Sequence, residues 1–100
     1  MFEVDGEVLE LRFNMQKIKT IETTYKVSIM AELGNNNGLL PTHLLEGLFT
    51  VGLYNKTQQQ AINGKKAQDI FAALLEKEGY GNINAAVVTK LQEDLGFLFR

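Results

Sequence analysis

The sequence predicts an α+β fold that is mainly α, in which an N-terminal β-hairpin precedes four or five short helices packed around one core. Three observations predict it. Residues 2–13 alternate between apolar and polar side chains around Asp5-Gly6, a dipeptide typical of two-residue hairpin turns. Apolar residues then recur at helical spacing from residue 15 onward. Residues 64–78 form the clearest amphipathic helix, and Gly79 follows as a stop signal.

The hairpin at residues 2–13 has one predicted register. If Asp5 and Gly6 form the turn, the facing pairs are Val4 with Glu7, Glu3 with Val8, and Phe2 with Leu9. Because side chains alternate along a strand, one face then carries Phe2, Val4, Leu9, Leu11 and Phe13. The other face carries Glu3, Val8, Glu10 and Arg12. We therefore predict burial of Leu9, Leu11 and Phe13 and exposure of Glu10 and Arg12.

Four more helices are predicted, at about residues 14–26, 28–33, 41–54 and 84–95. Residues with short polar side chains precede three of them as predicted N-caps, namely Asn14, Ser28, and either Asn82 or Asn84. The remaining helix opens with Pro41, which suits a first helical turn because its missing N–H is not needed there. Gly34 ends the short helix at 28–33, and an exposed asparagine-rich loop follows it.

The helix at 41–54 has more large apolar residues than one packed face requires. Gly47 and Gly52 lie inside it, where each is about 1 kcal/mol less favourable than alanine, so we expect another helix to approach closely there. One interpretation is a central helix surrounded by the hairpin and the other helices. The other, which can hold at the same time, is that an outward apolar side of this helix binds a partner together with the apolar segment at 97–99, since large exposed apolar patches usually mark interaction sites. The candidate protein-binding residues are Leu44, Leu48, Phe49, Phe97 and Phe99.

Composition limits the possible classes of protein. One hundred residues suit a single domain, 1–100, and 45% apolar with 22% charged residues is typical of a globular chain. The chain has no cysteine, so disulfides and thiolate chemistry are excluded. No stretch approaches the roughly 18 apolar residues that span a bilayer, and the acidic start is unlike a signal peptide. We therefore expect a cytoplasmic protein that binds no membrane.

Residues suited to catalysis are scarce. His43 is the single histidine, and beside Pro41 it is typical of a surface or capping residue. The carboxylates are not placed in contrasting pairs, as acid–base catalysis requires. No phosphate-binding glycine motif is present, and Asn63-Gly64-Lys65-Lys66 is typical of a helix cap with a solvated face. The sequence predicts a protein that is not an enzyme and has no cofactor or metal.

Taken together, three features resemble a tail assembly chaperone of long-tailed bacteriophages that infect Gram-positive hosts. The first is the opening segment 2–15 followed at once by a helix that contains residues 17–22. The second is residues 28–33, a loop, and then a leucine-rich helix with Gly47-Leu48 and Gly52-Leu53 inside it. The third is two further helices with little else. The resemblance covers nearly the whole chain and rests on pattern rather than on an invariant signature.

The resemblance implies an α-rich domain without catalytic residues. It implies that the protein binds the tape measure protein in the host bacterial cytoplasm, keeps that long helical chain soluble, and helps to recruit major tail protein subunits around it. Such chaperones are absent from the mature virion. The surplus of apolar helix surface leads us to expect a homo-oligomer when the client is absent.

A small helical DNA-binding regulator is the alternative hypothesis, since the helices at 41–54 and 64–78 could form a helix-turn-helix. The connector between them is long for that motif, which uses a turn of about 3–4 residues. The formal charge of −2 also disfavours nucleic-acid binding, which depends on Lys and Arg neutralising phosphates. We therefore expect no nucleic-acid partner. A small enzyme subunit is a third and weaker hypothesis.

Overall fold

A computed structural model describes residues 2–100 and has the predicted α+β, mainly α fold. Four strands form one antiparallel sheet in the order β1-β2-β3-β4. The strands are β1 (Phe2–Val4), β2 (Glu7–Leu11), β3 (Leu53–Asn55) and β4 (Gln60–Ala61). The helices are α1 (Met15–Tyr25), α2 (Ile29–Asn35), α3 (Thr42–Gly52), α4 (Gly64–Glu78) and α5 (Tyr80–Asp94), followed by a 3₁₀ turn (Gly96–Phe99).

The hairpin has the register that the sequence predicts, with Phe2 opposite Leu9, Glu3 opposite Val8, and Val4 opposite Glu7. Asp5 and Gly6 both have positive φ, 51° and 78°, as a type I′ turn requires. The predicted burial of Leu9, Leu11 and Phe13 and the exposure of Arg12 are confirmed. The prediction for Glu10 is wrong. Its side chain is half-buried because β3 places Tyr54 directly opposite it.

The sheet contains two strands that the sequence does not predict. The helix predicted at 41–54 ends at Gly52, and the chain continues as β3, which pairs with β2. A turn at residues 56–59 then leads into β4. Side chains fix this turn, since Asn55 Oδ1 accepts a hydrogen bond from Gln58 N and Thr57 Oγ1 accepts one from Val8 N, both at 2.9 Å. The apolar pattern of the helix continues into β3, so the pattern itself does not mark the boundary.

Helices α1 and α2 begin at the predicted caps. Asn14 Oδ1 accepts from Lys17 N at 2.9 Å, and Ser28 Oγ accepts from Ala31 N at 3.2 Å. Between them Lys26 adopts a left-handed conformation with φ of 55°, which ends α1. Helix α2 continues to Asn35, past the stop predicted at Gly34.

Helix α3 lies at the centre of the core and contacts α1, α4, α5 and β2. Its two glycines permit this packing. A Cβ atom at Gly47 would lie 2.6 Å from the ring of Tyr25 in α1, which confirms the predicted close approach of a helix. A Cβ atom at Gly52 would lie 2.7 Å from the ring of Phe13, a residue between β2 and α1 rather than in a helix. The buried hydrophobic residues of β2, β3 and the five helices form one continuous core with Phe13, Leu40, Ile62 and Leu95 of the connecting segments.

Helices α4 and α5 are joined by Gly79 alone. Its φ of 85° is positive, which glycine tolerates easily because it has no Cβ atom, and its N–H donates to Leu75 O at 2.9 Å. Helix α5 therefore begins at Tyr80, before the start predicted at residue 84. Neither Asn82 nor Asn84 is its N-cap, which corrects that prediction. Near the other end of α5, Asp94 Oδ2 accepts a hydrogen bond from Phe13 N at 2.9 Å and so ties the hairpin to this helix.

Candidate functional site: a terminal patch and two grooves

The structure separates the predicted binding residues into two environments. Leu44, Leu48 and Phe49 are at most 1% exposed and belong to the core. The predicted outward apolar side of their helix is therefore wrong, because α3 is surrounded by α1, α4, α5 and β2. Phe97 is 53% exposed and Phe99 is half-buried, so these two residues remain at the surface.

We use the name terminal patch for four apolar residues that line one cavity, Met15, Met30, Leu98 and Phe99, together with the exposed Phe97 next to them in the chain. Met15, Met30, Leu98 and Phe99 line a small cavity of about 80 Å³ together with core residues of α1, α2 and α5 and with Glu22, whose carboxylate accepts a hydrogen bond from Ile29 N. Phe97 lies on the same 3₁₀ turn as Leu98 and Phe99. Methionine side chains are flexible and polarisable, so such a surface can adapt to apolar side chains of different shape.

The 3₁₀ turn is held in place by its first contacts with α5. Leu95 is 4% exposed and its N–H donates to Leu91 O at 2.8 Å, which anchors the end of the helix. Leu98 N then donates to Leu95 O at 2.9 Å and closes the turn. This geometry directs the neighbouring side chains differently, so that Leu98 and Phe99 pack partly on the core while Phe97 is exposed.

A larger open groove of about 510 Å³ lies between the β1–β2 hairpin and α4, and we call it the hairpin groove. Its floor is apolar and consists of Val4, Leu9, Ile62, Ile70, Ala73 and Leu74, with the amide of Asn55 beside it. The charged residues that line it are Glu3, Asp5 and Glu7 of the hairpin and Lys66, Asp69 and Lys77 of α4. The sequence does not predict this groove, because it forms only where α4 lies beside the hairpin and the pattern of neither element gives that placement.

A second groove, of about 440 Å³, lies on the α5 side of the hairpin. Its walls carry Phe2, Glu10 and Leu11 from the hairpin and small or polar residues from α5, including Ala85, Ala86 and Thr89. None of residues 2–100 lines both grooves. The hairpin thus forms one wall of two separate surface depressions.

Charged side chains on the outer face of the sheet form a local network. The Arg12 guanidinium pairs with the Glu10 carboxylate and lies 3.6 Å from the centre of the Tyr54 ring. The hydrogen bond to Glu10 raises the pKa of Arg12, which stays charged. Lys17 Nζ donates to Arg12 O at 2.8 Å, and burial lowers the pKa of Lys17, with the nearby Arg12 charge acting in the same direction. These contacts order the segment between the sheet and α1.

The histidine and lysine residues that could act in catalysis or anion binding lie at the surface. His43 is exposed on the first turn of α3, with its ring centre 5.7 Å from that of Tyr25. Lys65 and Lys66 are exposed, and Lys65 Nζ pairs with Asp69 Oδ1 at 3.0 Å. Within residues 2–100, no group of three or more His, Asp or Glu side chains is placed to hold a metal ion.

Helices α3 and α4 do not form a helix-turn-helix, because residues 53–63 between them contain β3, a turn and β4. In the part of the chain that the structure describes, every helix is too short or too polar to cross a membrane. Comparison of the sequence and structure with protein-family models, curated proteins and solved structures finds no match in any of the three.

Proposed function

We propose that this chain is a tail assembly chaperone of a long-tailed bacteriophage of a Gram-positive host. In this proposal it binds apolar helical segments of the tape measure protein in the host cytoplasm, helps to recruit major tail protein subunits, and is absent from the mature virion. The observation that carries the proposal is the terminal patch, where Phe97 is 53% exposed beside half-buried Leu98 and Phe99. The resemblance of the sequence to this family supports the same function.

The physical argument concerns the free energy gained when the terminal patch is covered. Burial of apolar surface contributes roughly 25 cal/mol per Å², so an exposed phenylalanine side chain is a favourable anchor for a partner. A helical client presents apolar residues as a stripe, and a shallow apolar surface can receive such a stripe. Met15 and Met30 extend the patch with side chains that adapt to different residues of the client.

Replacing Phe97 with alanine tests the patch as the client site. Binding of a tape measure fragment, measured by titration calorimetry, should weaken by about 2 kcal/mol or more, because interface energy concentrates in a few large anchors. The matched control is Leu39→Ala, since Leu39 is similarly exposed, at 49%, but lies in the loop before α3 and outside the 3₁₀ turn that carries Phe97. If Leu39→Ala reduced the affinity for the fragment as much as Phe97→Ala, or if Phe97→Ala left it unchanged, the terminal patch would not be the client site.

The same surface is proposed to cause self-association in the absence of client. We expect sedimentation velocity to detect dimers or larger species that increase with concentration, and Phe97→Asp to return the chain to monomer because a carboxylate is costly to bury. A protein that stays monomeric across a hundredfold concentration range contradicts this expectation.

The function itself is tested by co-expression with the tape measure protein, which we expect to be encoded as a very long helical reading frame immediately downstream. The chaperone should keep that protein in the soluble fraction, and the Phe97→Ala variant should do so less well at equal expression. A tape measure protein whose solubility does not change when this chain is present would contradict the proposal.

A further inference from the structure

The hairpin groove has features of its own that the proposed function does not use. Its lining residues on α4 are Lys66, Asp69, Ile70, Ala73, Leu74 and Lys77, which recur at intervals of three and four. Such spacing places them along one face of a helix, so the groove runs parallel to α4. From Lys66 to Lys77 the helix rises about 16 Å, which matches about three turns of a second helix laid beside it.

The two walls of the groove differ in charge. Asp5 in the turn and Glu7 opposite Val4 give the hairpin wall two carboxylates. The α4 wall carries Lys66 and Lys77, and its one carboxylate, Asp69, is paired with Lys65 at 3.0 Å. Between the walls, the floor is apolar. The groove therefore presents a negative edge, an apolar floor and a positive edge in that order.

We infer that the hairpin groove is a docking site for an amphipathic helix of a partner protein, with basic residues along one flank of its apolar stripe and acidic residues along the other. The apolar stripe would contact the floor, and the basic flank would face the hairpin. If the helix lay in the groove in the opposite direction with its apolar stripe still on the floor, its acidic flank would face the acidic hairpin wall. The charges of the two walls therefore also favour one direction of binding. This inference depends on residues separate from the terminal patch, so either one can fail without the other.

Three synthetic peptides of about four helical turns serve as probes, each with a leucine stripe. The first has lysine on one flank and glutamate on the other, the second has glutamate on both flanks, and the third is the first with two central prolines. We expect the first peptide to bind more tightly than the second, and to gain helical circular dichroism on binding. We expect the third not to bind, since proline prevents the helix. If the protein bound the first and third peptides with equal affinity, the occupant of the groove would be an extended segment and the proposed helix would be wrong.

A matched pair of variants locates the site. Ala73 and Ala72 are both exposed on α4, but only Ala73 lines the groove. Ala73→Glu places a carboxylate over the apolar floor and should weaken the first peptide about tenfold or more, whereas Ala72→Glu should change its affinity less than about twofold. Equal effects of the two substitutions would overturn the proposed site. Sedimentation of the two variants without peptide gives a further test. If Ala73→Glu changed the oligomeric state and Ala72→Glu did not, the groove would be a contact between copies of this chain, and the proposed partner helix would be wrong.

Charge reversal of the hairpin wall tests the two edges. The double substitution Asp5→Asn with Glu7→Lys should weaken the first peptide about fivefold and strengthen the second, because each glutamate flank of the second then faces a wall with lysine and without unpaired carboxylates. The control is Glu76→Gln with Glu78→Lys, which changes the net charge equally at exposed positions outside the groove. If both double variants shift the two peptides alike, net charge explains the result and the assignment of the walls is wrong.

Discussion

Replacing Phe49 with alanine is expected to lower the free energy of unfolding by about 3–5 kcal/mol, the range found for phenylalanine truncation in a packed core. Phe49 is completely buried, and its ring centre lies 5.7 Å from that of Phe2 and 5.3 Å from that of Phe71. The substitution thus leaves a cavity where the hairpin, α3 and α4 meet. Chemical denaturation monitored by circular dichroism would measure the loss.

The matched control is Phe97→Ala, which removes the same side chain from a 53% exposed position and should change stability by less than about 0.5 kcal/mol. The two variants also distinguish a core residue from a binding residue. The folded fraction of Phe49→Ala should bind a tape measure fragment as the unaltered protein does, whereas Phe97→Ala should fold normally and bind weakly. Similar stability losses for the two variants would contradict the assignment of Phe49 to the core and Phe97 to the surface.

Replacing Asn84 with alanine is expected to cost about 1–3 kcal/mol of stability. Asn84 is 5% exposed within α5, and its side chain binds the loop before α3 at two points. Its Oδ1 accepts from Leu40 N at 3.0 Å, and its Nδ2 donates to Gly38 O at 2.9 Å. Since Leu40 is 1% exposed, alanine at position 84 leaves a buried N–H without its partner.

Asn82→Ala provides the comparison for this result, because Asn82 is exposed on the same helix and its side chain donates to Glu78 O rather than to a buried segment. Its effect should stay within about 0.5 kcal/mol. Hydrogen exchange gives a second measurement, since the Leu40 amide should lose protection in Asn84→Ala and keep it in Asn82→Ala. Retained protection of Leu40 in both variants would contradict the role given to Asn84.

Features that depend on neighbouring residues could be predicted from the sequence. The Asp5-Gly6 turn fixes the hairpin register, because a two-residue turn permits one pairing that agrees with the alternation of apolar residues. The caps at Asn14 and Ser28 act through side chains that bind backbone amides three residues away. Gly79 ends α4 through its own positive φ. Each of these signals lies within a few residues of the structure it specifies.

Only the tertiary structure decides the features that join distant segments. Strand β3 forms because β2 offers it an edge, so Leu53 and Tyr54 pair with the hairpin although they continue the apolar pattern of α3. The position of Asn84 opposite Leu40 likewise makes it a buried contact rather than a cap.

The division of the predicted binding residues follows the same physical rule. An apolar residue is core or surface according to what covers it, and four elements cover α3 while Phe97 is left exposed. The hairpin groove exists only because α4 lies beside the hairpin. The periodicity of residues along α4 does not say which other element lies next to it. The sequence by itself therefore determined the turns and helix caps, which depend on local backbone preferences. The surfaces available to a partner depend on how the helices and strands pack against one another.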